Sequence, residues 1–432
     1  MNLIEKLFRL HDNKTNRRTE VLAGFTTFLT MAYITVVNPA ILSRTGMDFG
    51  AVFVATCLAA AFGSILMGVL GNYPVALAPG MGQNAFFTYS VVITGGYSWQ
   101  AALGAVFISG IIFIIISILP LREWAINSIP RSLKMGISSG VGLFLGFIAL
   151  KNAGVVVENK ATLVGLGDLT AYAPICFLVG FMLIAALHAR RIPGAVIIGI
   201  LLTTAVGWSF GFADFRGIAS LPPSPMPVAL QLDIAGALNL SMVTIILSFL
   251  LVDVFDTAGT LIGVATRAGI IGKDGRLPHL GGALLADSGA TAFGALAGTS
   301  STTSYIESAA GVEAGGRTGL TAVVTGLLFL GCLFFAPLAQ SIPAYATAAA
   351  LLFVCCLMAH GLTLLDWDDH TESIPAVITA LAMPLSFSIA NGIGIGFITY
   401  AGIKILAGQA RACPGAVYVI ALIFLLKFAF LG

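Results

Sequence analysis

Apolar runs of roughly twenty residues recur from one end of this chain to the other, each closed by a short polar or glycine- and proline-bearing stretch. Read by hydropathy and turn residues, they lie at 20–42, 51–71, 75–93, 99–119, 132–151, 171–188, 192–212, 241–266, 280–292, 293–311, 316–338, 343–362, 373–390 and 392–408, fourteen in all. A further apolar stretch, 414–431, follows. The runs are continuously apolar and do not alternate, which predicts an all-α polytopic membrane protein and argues against a β-barrel. Several are short for a straight transmembrane helix, so some are expected to be broken or partly extended.

Composition sharpens this picture. The 432 residues are 58% hydrophobic and 9% charged, with a mean hydropathy of +0.99; soluble domains are about 25% charged. A soluble enzyme and a disordered chain are excluded. The net charge of +2 offers no footprint for nucleic acid. The six cysteines sit in apolar runs without CxxC or Cys/His spacing and read as small buried hydrophobes. The five histidines fall at run ends, no HExxH spacing occurs, and neither a metal nor another cofactor is expected. Without a Walker motif, ATP-driven pumping has no support.

Lysine and arginine set an orientation. With the N-terminus in the cytoplasm, sixteen of them lie inside, among them Arg122, Lys273 and Arg276, and four lie outside: Arg44, Lys151, Lys160 and Arg216. Residues 1–19 then form a cytoplasmic lead-in without the apolar core of a signal peptide, its Leu3, Leu7, Phe8 and Leu10 expected on the membrane surface. The proline-rich link 213–240 separates a first half, 20–212, from a second, 241–408, and 409–432 is a membrane-associated tail. Seven crossings per half is odd, so similar halves would be inverted repeats, the arrangement of secondary transporters with a site at the repeat interface. Ala76-Leu77-Ala78 and Ala295-Leu296-Ala297 share a triplet near the third run of each half.

Three segments carry chemistry. In PVALAPGMGQNAFFTYS (74–90), Pro74, Pro79, Gly80 and Gly82 forbid a regular helix before about residue 81. An extended piece should feed a helix whose first turn holds Gln83 and Asn84, with Phe86 and Phe87 beside them. In LSFLLVDVFDTAGTLIGVATRAG (247–269), Asp253, Asp256, Thr257 and Thr260 share a helix face, and the two acids each cost roughly 2.5–3.5 kcal/mol in a bilayer if unpaired. In LAGTSSTTSYIESAAGVEAGGRTG (296–319), Gly294 and Gly298 fit an extended entry, Thr303 is expected one helical turn before Glu307, and Glu313 is expected to pair with Arg317. Asp287 is a fourth acid within an apolar run, with no role assigned. Carboxylates, an amide and phenylalanine faces suit a flat neutral heterocycle, and a carboxylate in low dielectric can carry a proton.

The segments AGFTTFLTMAYITVVNPAIL (23–42), ALAPGMGQNAFF (76–87), LVDVFDTAGTLIGVA (251–265) and GTSSTTSYIESAAGVEAGGRTGLTAV (298–323) resemble the nucleobase–cation symporter family 2, in particular its AzgA-like adenine, guanine and hypoxanthine permeases. The resemblance implies fourteen segments in two inverted repeats of seven. A core would comprise 20–119 and 241–338, a gate 132–212 and 343–408, and short antiparallel strands would lie in segments 3 and 10. It implies proton-coupled import of purine bases across the inner membrane by elevator-like movement. Asp253, Glu307 and Asn84 match substrate-binding positions, Phe86 and Thr303 join them, and Asp256 with Asp253 and Glu307 would couple protons. Aspartate rather than glutamate at 253 favours the purine branch. The expected partners are a purine base, protons and lipid, and a homodimer is compatible with the sequence. The rivals are an anion exchanger of the same fold, which would want a positive or neutral site, and a membrane-embedded hydrolase using paired carboxylates, which would need a nucleophile or metal.

Overall fold

A computed structural model describes residues 3–119, 129–270 and 278–430. Arg122, Lys273 and Arg276, three of the cations behind the orientation, lie outside the described residues.

The first half runs α1 (Leu3–Phe8), α2 (Arg17–Met31), α3 (Ile34–Leu42), α4 (Phe49–Leu66), β1 (Leu77–Pro79), α5 (Met81–Ala85), α6 (Trp99–Ile118), α7 (Arg131–Asn152), a hairpin of β2 (Val156–Asn159) and β3 (Leu163–Leu166), α8 (Tyr172–Ala189) and α9 (Ala195–Ser209). The second half runs α10 (Val243–Ala268), α11 (Leu280–Ala297), β4 (Thr302–Ser304), α12 (Ser308–Glu313), α13 (Gly319–Cys332), α14 (Ala344–Ala359), α15 (His370–Leu385), α16 (Ile389–Leu406) and α17 (Gly415–Phe430). Among the described residues ten helices are long and apolar enough to cross a membrane. The four predicted runs without such a helix are 75–93 and 293–311, which contain the strands, and 192–212 and 373–390, whose helices span 15 and 16 residues.

Packing joins the two halves. α4 lies against α11 and α13, α2 against α12 and α13, and α6 against α11. α7 packs on α14 and α15, α8 on α9 and α14, and α17 on α16. The link 213–240 is strapped over the first set. Leu230 N–H donates to Leu296 O (2.8 Å), Asp233 N–H to Gln100 O (2.9 Å), and the buried Val228 covers Gly298. Gly298 ends α11 at φ +97°, a conformation with room only for glycine against that valine.

Several expectations change. Gly294 lies inside α11, which runs on to Ala297, and the extended piece begins only after Gly298. The two Ala-Leu-Ala triplets are therefore not equivalent: Leu77 is in a strand and Leu296 in a helix. The partner of β1 is instead the hydroxyl-rich Thr302–Ser304. Phe8 and Leu10 are buried against Leu320, so the lead-in packs on protein, with Leu7 exposed. Glu313 pairs with Arg267 (3.5 Å, both exposed), while Arg317 Nη1 donates to Val312 O and Gly316 O (2.7 Å each). Within 343–408 the buried Lys404 pairs through Nζ with Oε1 of the half-buried Glu372 at 2.8 Å.

Candidate functional site

β1 and β4 form an antiparallel ladder with Leu77 opposite Ser304, Ala78 opposite Thr303 and Pro79 opposite Thr302. Buried backbone in a bilayer needs partners for its amides and carbonyls, and the surroundings supply them. Ser64 Oγ accepts from Leu77 N–H (2.9 Å) and donates to Leu77 O (3.0 Å). Gly80 N–H reaches Ser301 O (2.9 Å), Tyr305 N–H reaches Ala76 O (3.1 Å), and Tyr305 OH donates to Pro79 O (2.6 Å). Gly80 follows the strand because a Cβ there would stand 2.8 Å from the Thr303 methyl. Pro79, which has no N–H to donate, closes β1, and the helix begins at Met81, as the Pro/Gly pattern requires.

α10 runs past this ladder with its polar stripe inward. Asp253, Thr257 and Thr260 are buried and Asp256 is half-buried. Asp253 accepts on Oδ1 from Gln83 Nε2 (3.0 Å) and on Oδ2 from Thr291 Oγ1 (2.9 Å). Thr257 donates to Asp287 Oδ2 (2.7 Å) and shares a hydrogen bond with Thr303 Oγ1 (2.9 Å). Asp256 lies within electrostatic reach of Glu307, whose Oε1 accepts from Tyr33 OH at 2.6 Å. Glu307 is the residue just before α12, and Thr303 lies in β4, so the expected helical turn does not relate the two.

Asn84 is fully buried, and Ser300 Oγ donates to its Oδ1. Phe86 is buried, with its ring 4.7 Å from that of Phe249. Among the described residues, buried polar atoms without a hydrogen-bond partner gather here: Gln83 Oε1, Asn84 Nδ2, Ser301 Oγ, Thr302 Oγ1 and Ser304 Oγ. Such a set offers both donors and acceptors to a small polar guest. No group of three His, Cys, Asp or Glu among the described residues is placed to hold a metal ion.

Reading from sequence missed Tyr33, Thr291 and the direct role of Gln83. Thr291 had a signal, since it follows Asp287 by one helical turn and so shares its face. Tyr33 had none beyond its lying in an apolar run; it sits at the break between α2 and α3.

Broken segments that meet inside a helical bundle and carry unpaired polar groups are an arrangement that membrane transporters use around a substrate. Residues 18–395 match the profile of Xan_ur_permease, the Permease family, and the chain belongs to that family. It is 51% identical to adenine permease AdeP of Escherichia coli (strain K12), with 99% of this chain and 96% of the relative aligned. It is 43% identical to guanine/hypoxanthine permease PbuG of Bacillus subtilis (strain 168), with 99% and 100% aligned. These relatives are permeases, and this protein is a multi-pass membrane permease rather than an enzyme. The transmembrane domain of a cyanobacterial bicarbonate transporter, BicA, shares the fold at a TM-score of 0.68 and 17% identity, covering 86% of this chain and 96% of that one. The murine anion transporter Slc26a9 in its inward-facing state superposes at a TM-score of 0.67 and 13% identity, over 94% of this chain and 72% of that one.

Proposed function

We propose that this permease imports the purine bases adenine, guanine or hypoxanthine across the cytoplasmic membrane together with protons. The relatives named for those bases, at 42–51% identity over nearly the whole chain, support the substrate class. The observation that carries the reading is the set of polar groups around one strand pair: Thr303 in β4, Gln83 just after β1 and bonded to Asp253, and Glu307 just after β4, with unpaired donors and acceptors beside them. Asp253 and Glu307 accept ring or exocyclic N–H from the base, Asn84 and Thr303 serve its remaining polar edge, and Phe86 supports the aromatic wall. Neither ion pair recorded among the described residues, Arg267–Glu313 or Lys404–Glu372, involves these acids, which disfavours an anion as cargo despite the shared fold.

The fourteen-crossing reading counts the two strand-bearing segments and the two shorter helices as crossings, with the N-terminus inside and inverted halves. The α2–α6 and α10–α13 group then forms a core that carries the site, and α7–α9 with α14–α16 forms the gate against which it slides. Protons drive uptake through Asp253, Asp256 and Glu307. Uptake of radiolabelled adenine, guanine and hypoxanthine into vesicles, each in competition with the unlabelled bases, tests the substrate class. Failure to take up any of the three refutes it.

A further inference from the structure

Asp287 is the acid the reading above leaves without a task, and its surroundings suggest one. It is fully buried on α11, behind the strand pair. Its carboxyl lies against the Ser304 amide without a bond to Oδ1 that meets hydrogen-bond geometry. Its Oδ2 accepts from Thr257 Oγ1 at 2.7 Å, and the same hydroxyl is 2.9 Å from Thr303 Oγ1. Both hydroxyls are buried, and each has a single hydrogen to give.

That stoichiometry makes the chain directional. With Asp287 ionised, Thr257 must donate to it and Thr303 donates to Thr257, so Thr303 shows only lone pairs to its surroundings. With a proton on Oδ2, the order reverses. Asp287 donates to Thr257, Thr257 donates to Thr303, and the Thr303 hydrogen is released to point elsewhere. We propose that, beside the three acids through which protons drive uptake, Asp287 takes up the proton that sets substrate affinity, and that the Thr257–Thr303 hydroxyl relay converts its protonation into a donor on β4 that binds an acceptor atom of the base. Substrate affinity and proton occupancy are then linked through a residue that does not touch the substrate. This rests on the purine reading above.

The other acids suit this duty less well. Both oxygens of Asp253 already accept side-chain hydrogen bonds, and Glu307 holds Tyr33. Of the elements packed against α11, α6, the strands and Met67–Gly71 carry no ionisable side chain. α4 carries only Cys57, which packs with Val36 and Phe53 in another cluster. α10 brings the acids Asp253 and Asp256, while Arg267 is exposed at the end of that helix.

The test measures binding of radiolabelled adenine, with hypoxanthine in parallel, to the purified full-length protein from acidic to neutral pH, and counterflow against net accumulation in vesicles. The wild type should bind more tightly as pH falls, by at most about tenfold per pH unit for one linked proton. Asp287→Asn should bind with no pH slope, keep counterflow and lose uphill accumulation. Thr257→Val should flatten the slope, and Thr257→Ser, which keeps the hydroxyl, should restore it. A wild-type slope in Asp287→Asn or in Thr257→Val overturns the relay. If Asp287→Asn does not insert, the Val/Ser pair decides. A wild type that binds base without any slope also overturns it, while leaving the purine reading intact. If the wild type binds neither base, the purine reading falls. Infrared titration of the Asp287 carboxyl then decides the relay: a titration altered in Thr257→Val but not in Thr257→Ser sustains it, and identical titrations remove it.

Discussion

Tyr33 and Glu307 lie 274 positions apart in the chain, yet the tyrosine hydroxyl donates to the glutamate at 2.6 Å. The bond ties the break between α2 and α3 to the residue that opens α12, so both halves of the protein orient one carboxylate. Under the purine reading, Glu307 held on Oε1 would present Oε2 to the base. Tyr33→Phe removes a hydrogen bond to a charged group, worth roughly 1.5–3 kcal/mol. Purine affinity should fall by about tenfold or more, with the protein still inserted. Unchanged affinity in a binding assay would separate the tyrosine from the site.

Glu307→Gln and Asp253→Asn keep shape and remove charge. Each should weaken apparent purine affinity by about tenfold or more, again from a lost charge-assisted bond. Asp253→Asn can keep an oxygen towards Gln83 Nε2 and places an NH2 donor where Oδ2 accepted from Thr291. Both variants transporting at wild-type affinity would show that the base binds elsewhere.

Proton coupling predicts that uptake into vesicles is faster at acidic outside pH and is abolished by a protonophore. Uptake that follows a sodium gradient and ignores the protonophore would refute it.

Movement of core against gate is open to a cross-linking test. Ser90 Oγ donates to Phe387 O at 3.3 Å, joining the segment after α5 to the turn between α15 and α16. Cysteines at these two positions, in a background with the six native ones replaced, should stop transport when bridged by a short thiol reagent, while purine binding from one side persists. Full-rate transport by the bridged protein would exclude sliding at this contact.

Glu20 offers a test of stability apart from function. It is fully buried and accepts from the backbone N–H of Arg317 (2.9 Å), Thr318 (3.3 Å) and Thr321 (3.3 Å) and from the hydroxyls of Thr318 (2.8 Å) and Thr321 (2.6 Å). It thereby caps the start of α13 from α2. Glu20→Ala leaves those donors unmet and should cost about 1–3 kcal/mol, read as a lower Tm in detergent. An unchanged Tm would mean that water replaces the carboxylate at no loss.

The sequence spoke clearly wherever a local rule decided. Hydropathy placed the long helices, and Pro74, Pro79 and Gly80 announced an extended piece ending at Met81. The inward stripe of Asp253 and Thr257 followed from helical spacing. It failed where partners are distant in the chain. No local rule in 296–304 distinguishes a strand from a helix entry; the strand there follows only from the family resemblance, and helical spacing alone gives Thr303 a neighbour it does not have. Tyr33 was invisible because its only signal is a contact with residue 307.

The strand pair also constrains how the protein is made. Residues 77–79 leave the ribosome long before residues 302–304, and their full complement of backbone partners exists only once the later segment arrives. Until then the first half carries an open strand edge that the hydrocarbon region cannot satisfy. Ser64, which holds both the amide and the carbonyl of Leu77, belongs to α4 and is already in place. It can guard the early strand during synthesis, so insertion of the nascent chain should depend on this serine more heavily than the stability of the finished protein does.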